Sequence, residues 1–128
     1  MTNLKEEVFN CLKEVGLMPS YDQDGDIRFK YNLDTYYVLF TKDDERLFRI
    51  ALYNIYRVNA ENREAVLSAC NKVNGMVYVA KTFINTNNRV CIIVQQIIDS
   101  SPVFAEFIPR TLRCIARARI RFENEMLD

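Results

Sequence analysis

The stretch YDQDGDIRF, residues 21 to 29, decides the fold, because it reads either as part of a calcium-binding helix pair or as a turn into a β-strand. An EF-hand register puts its obligatory sixth-position glycine at Gly25, with Asp24 at position five, Asp22 at three and Ile27 at eight. Position one is then Ser20 and position twelve is Tyr31, so the loop lacks its first carboxylate and its bidentate ligand. The residues that follow, IRFKY, alternate apolar and polar as a strand does, where an EF-hand needs a second helix. Asp-Gly ahead of an alternating run is a hairpin signal, since Gly accepts positive φ and Asp closes an Asx turn. The expectation is a solvated turn that binds no metal, and a chain whose centre is β-sheet.

On the N-terminal side of this turn, Leu4, Val8, Cys11, Leu12 and Val15 recur at helical spacing behind an Asn3–Glu6 capping signal, and Gly16 supplies a left-handed stop. On the other side, Asn32 to Asp34 turn the chain into TYYVLF (35–40), apolar on both faces and so a central strand. The charged turn Lys42 to Glu45 leads into LFRIALYNIY (47–56), a long third strand, and the close spacing favours an antiparallel meander. From Asn59 the period changes. Ala65, Val66, Ala69, Cys70 and Val73 mark an amphipathic helix that Asn74-Gly75 should end with a second left-handed stop. MVYVAKTFI (76–84) and RVCIIVQQII (89–98) read as two more strands joined by the polar turn NTNN. Ser101-Pro102 opens a last helix running almost to the C-terminus, which Pro109 should bend or break. The order α-β-β-β-α-β-β-α predicts a single α+β domain over residues 1–128. It is a two-layer sandwich with an antiparallel sheet of about five strands and helices packed on one side.

A chain of 128 residues, nearly half hydrophobic, buries one core without staples. Seventeen Lys plus Arg balance seventeen Asp plus Glu, so no overall field draws nucleic acid or an anionic membrane. MTNLKEEVFN lacks the basic start and apolar run of a signal peptide, and no apolar stretch is long enough to span a bilayer; a cytoplasmic protein is expected. Cys11, Cys70, Cys91 and Cys114 show no zinc-ligand spacing and each sits in an apolar pattern, so they read as buried free thiols. The chain has no histidine, which removes the usual general base near neutral pH and every Ser–His or Cys–His pair. No catalytic residue, metal ligand or cofactor is expected.

The helix ending in Gly16, the DGDIRF turn, the charged turn before LFRI, and ACNKVN leading into a segment with AK resemble the YbjN family over about residues 4 to 125. That family is described as bacterial sensory transduction regulators with a fold similar to type III secretion chaperones. The resemblance implies that fold, frequent dimerisation and a role in binding other polypeptides, and it brings no catalytic residues.

The candidate contact residues follow from the pattern. Tyr31, Tyr36, Tyr37, Tyr53, Tyr56 and Tyr78 are numerous, and alternation should leave Tyr37, Tyr53 or Tyr78 on the open sheet face, where tyrosine serves contact surfaces. Asn71 and Asn74, three apart, read either as a hydrogen-bonding pair for a partner's backbone or as caps for the last carbonyls of their helix. Arg110, Arg113, Arg117 and Arg121 line the polar face of the last helix, a solvated stripe or a phosphate-binding one. Arg119 lies at the edge of the apolar stripe, where it snorkels or meets a carboxylate. The leading expectation is a non-enzymatic protein-binding or regulatory module, chaperone-like and homodimeric, with an unidentified protein or peptide partner. The alternative is a nucleic-acid-binding regulator using the arginine face.

Overall fold

The computed structural model describes residues 4–98 and 104–127. Helix α1 spans Leu4–Glu14, and strands β1 (Ser20–Tyr21), β2 (Ile27–Tyr31), β3 (Asp34–Thr41) and β4 (Asp44–Arg57) follow as an antiparallel meander. Helix α2 (Arg63–Met76) crosses back to β5 (Lys81–Ile84) at the sheet edge, and β6 (Arg89–Ile97) slots between β4 and β5 before α3 (Phe104–Leu127). The sheet order is β1-β2-β3-β4-β6-β5. Its six strands exceed the expected five because Ser20 and Tyr21 pair with Arg28 and Ile27, closing the YDQDGDIRF turn as a hairpin. Two residues without alternation leave no pattern to read. The N-terminal cap at Asn3 and the Ser101-Pro102 helix start lie outside the described residues.

Hydrogen bonds explain the turn itself. One carboxylate oxygen of Asp22 accepts the N–H groups of Asp24 and Asp26 at 2.9 and 3.0 Å, an Asx closure, while Gly25 takes φ 82°. Asp26 reaches across the sheet, its Oδ1 accepting the Phe40 N–H at 3.0 Å beside the irregular step between Leu39 and Thr41. Two of the three aspartates are thus occupied in holding backbone.

Strand alternation separates two faces. Ile27 and Phe29, Tyr36 and Val38, Phe48, Ile50 and Leu52, and Val90, Ile92 and Val94 point to one side, into a cluster with Val8, Leu12, Val66, Val73, Ile108, Leu112, Ile115 and Phe122 of the helices. Each helix therefore buries one stripe against the same sheet face, the two-layer arrangement expected. Tyr36 stacks on Phe29 at 5.7 Å, and burial, reinforced by Asp34, pushes its phenol far above the ordinary value. Cys11, Cys70 and Cys91 are buried free thiols, and burial raises Cys70 to about 11. Cys114 is half-buried.

Three local expectations meet different outcomes. Gly16 takes φ 88°, and the Leu17 N–H to Leu12 carbonyl and Gly16 N–H to Lys13 carbonyl bonds, both 3.0 Å, complete a Schellman stop. Gly75 does not stop α2, which continues to Met76 with Val77 as an extended cap. The extension through Gly75 and Met76 lets Val77 reach the core, and the left-handed residue comes later, at Val79 with φ 73°. The segment MVYVAKTFI is consequently strand only from Lys81, and Tyr78 sits on the connection. Finally, α3 runs unbroken through Pro109. The bond Pro109 cannot make is with Ala105, an exposed residue in the first turn, so the helix loses little there.

These two glycines should respond oppositely to alanine. Neither has an atom within 4 Å of an added Cβ, so only backbone preference acts. Gly16→Ala should destabilise by about 1–2 kcal/mol, and Gly75→Ala should stabilise by about 0.5–1 kcal/mol, measured by urea unfolding.

Candidate functional site

The other face of the sheet is covered by no described helix. Cross-strand register builds one row over it, Arg28–Tyr37–Ala51–Ile93–Lys81, and Leu39–Arg49–Gln95 lies beside that row. Ala51, Cys91 and Ile93 stand outside the helix-side core, yet they are 0%, 1% and 6% exposed. Their shielding comes from longer neighbours on the same face, Tyr37 directly across the ladder from Ala51. Tyr37 and Tyr53 meet at 5.5 Å between ring centroids, tilted by 55°, and burial raises the Tyr53 phenol with lesser contributions from Cys91 and Asp26.

Arg49 occupies the middle strand. Its Nη2 donates to Thr41 Oγ1 at 2.9 Å, and its Nε is buried without a partner. At one end of the face, Tyr37 and Tyr53 floor a groove of about 560 Å³ between Leu33, Asn54, Asn85 and Asn87. Asn54 takes φ 60° where β4 slips register between Leu52 and Tyr56, a bulge that interrupts the pairing before it resumes at Tyr56 opposite Val90. Asn85 accepts the N–H groups of Asn87 and Arg89 and donates to Cys91 Sγ at 3.1 Å, fixing the rim. The chemistry offered is aromatic and apolar contact, amide hydrogen bonding and positive charge.

The sequence candidates scatter over the fold. Tyr37 and Tyr53 come together on the open face. Tyr78 lies away from it, 85% exposed on the α2–β5 connection. Asn71 and Asn74 are both exposed on α2, and of the two it is Asn74 whose amide reaches β5. Its Nδ2 donates to the Thr82 carbonyl at 2.9 Å and its Oδ1 accepts the Thr82 N–H at 2.7 Å. The amide thus mimics a neighbouring strand and closes the outer edge of β5. Arg110, Arg113, Arg117 and Arg121 stay exposed along α3, and the last three border a shallow hollow with Tyr31 and Ile120. Arg119 stands apart from them, paired with Asp34 of β3 and with Glu123 at 2.7 Å. Arg49 escaped notice in the sequence, although a lone arginine inside LFRIALY was the available signal.

Among the described residues, an open-faced antiparallel sheet backed by three helices defines the class, an α+β sandwich with one bare face. Residues 5–128 match the YbjN family, described as "Putative bacterial sensory transduction regulator", and the chain belongs to that family. No curated protein matches the sequence. The fold is similar to the crystal structure of YbjN from E. coli, described as "a putative transcription regulator". The TM-score is 0.71 at 10% identity over 91% of this chain and 89% of that one. It is also similar to an uncharacterized protein from Methanothermobacter thermautotrophicus, with a TM-score of 0.60 at 14% identity over 93% of each chain. Among the described residues, no helix is long and apolar enough to cross a membrane.

Asn71 and Asn74 separate by stability. Asn74→Ala leaves both Thr82 backbone groups unpaired and should destabilise by about 1–3 kcal/mol, while Asn71→Ala should stay within about 0.5 kcal/mol, both read from urea midpoints.

Proposed function

We propose that this chain is a regulatory module that acts by binding another polypeptide on the open face of its sheet, without chemistry of its own. The observation carrying this reading is the Ala51–Cys91–Ile93 centre, buried with no layer of the described residues above it and rimmed by Tyr37, Tyr53 and Arg49. An apolar centre inside an aromatic and arginine rim has the composition of a contact surface. The family's description as a regulator agrees with it. Capture from the source cell's lysate tests the reading. Tyr53→Ser, checked for native fold by circular dichroism, should lose a protein that the wild-type chain retains. A full set of partners kept by Tyr53→Ser but lost by Arg113→Glu would move binding to α3.

Self-association belongs to a second surface. Leu33, at φ 71° and 99% exposed, and Ile120, 59% exposed, border one hollow between the β2–β3 turn and α3. A two-fold contact there would bury both and, although Leu33 also borders the groove, leave the Ala51–Ile93 centre of the open face for its partner. Light scattering at micromolar concentration should give twice the 15.1 kDa chain mass, falling to one chain in Leu33→Asp. A wild-type mass of one chain, unchanged on dilution, removes the dimer.

A further inference from the structure

The open face is cationic in a chain of zero net charge. Arg28 and Lys30 of β2, Arg49 of β4 and Lys81 of β5 share it by register. Inboard of the β3–β4 turn, the in-register positions of this face carry no carboxylate. The Asp26 carboxylate just before β2 is engaged with the Phe40 N–H. The ion pairs formed among the described residues join Lys72 to Glu125 and Arg119 to Asp34 and Glu123, and none involves these four cations. Arg49 matters most, because a half-buried guanidinium without a counter-ion holds a charge only partly solvated.

We infer that the face takes an acidic peptide segment, apolar at its centre and carboxylate-bearing on either side. This rests on the reading of the open face as a polypeptide-binding surface and specifies what it binds. Arg28 and Lys81 end the row Arg28–Tyr37–Ala51–Ile93–Lys81, which crosses five strands. At about 4.8 Å per strand the two cations stand roughly 19 Å apart. An extended segment of about six residues spans that distance. Its apolar side chains meet Ala51 and Ile93, its end carboxylates meet Arg28 and Lys81, and one from its middle neutralises Arg49. A second copy of this chain fits worse, since a two-fold axis through the face sets each of these cations near its own counterparts. Single-stranded nucleic acid fits worse as well. Tyr37 and Tyr53 are half-buried and tilted against each other, a poor platform for stacking successive bases, and the chain has no wider positive field.

The test is fluorescence anisotropy with a labelled peptide alternating glutamate and leucine, its lysine–leucine counterpart, and a labelled single-stranded oligonucleotide. The glutamate peptide should bind and the lysine peptide should not. Affinity should fall tenfold or more in the exposed double variant Arg28→Glu/Lys81→Glu, and again in Arg49→Gln. No glutamate-peptide binding, equal binding of both peptides, or tighter binding of the oligonucleotide would overturn the inference. A lysate partner lost by Tyr53→Ser but kept by Arg28→Glu/Lys81→Glu would also overturn it, while leaving the open face as the binding surface.

Discussion

A β-strand sends successive side chains to opposite faces, and β4 applies that constraint from Arg49 to Leu52, where it is paired on both sides. Phe48, Ile50 and Leu52 must enter the core, so Arg49, Ala51 and Tyr53 must leave it. A one-residue slip would bury Arg49 under the helices and expose three large apolar side chains. The register that builds the core is therefore the register that composes the bare face. The bulge at Asn54 interrupts the ladder only locally, and Tyr56, paired again opposite Val90, meets Phe122 of α3 at 5.5 Å.

The helix side depends on the same sheet. Each helix carries a single apolar stripe, buried in one cluster with the sheet face and the neighbouring helices. The long α3 is tied at a second level by Arg119, which brings Asp34 at the start of β3 and Glu123 of its own helix to one guanidinium. That link anchors the β2–β3 turn to the helix layer, beside Tyr36, the largest fully buried side chain.

Much of this was legible in the chain because period carries it. Alternation in IRFKY and the 3.6-residue stripes of α1 and α3 come from sequence-local geometry, and so does the glycine after Val15. What escaped depends on residues distant in sequence. Asn74-Gly75 has the composition of a helix stop, but Thr82, across the connection, recruits the Asn74 amide, and Val77 is drawn into the core, so the helix ends later. The two-residue β1 exists only because β2 lies beside it. Tyr37 and Tyr53 could be assigned to the bare face by parity, whereas Tyr78 was misjudged with its strand. The carboxylate partner of Arg119 and the isolation of Arg49 follow from three-dimensional neighbourhood, which one sequence does not contain.

The Asn74 amide against Thr82 has a consequence for selectivity. At one end of the sheet, the middle of β5 is already hydrogen-bonded on its outer side; at the other, β1 offers only two residues. Neither border is a ready template for a foreign strand. Partners that bind by joining a sheet are held mainly through main-chain hydrogen bonds, which nearly any polypeptide can supply. A molecule with both borders blunted forgoes that indiscriminate adhesion. Whatever it recognises must be distinguished by side chains, so discrimination rests on the identity of the residues presented rather than on their being extended.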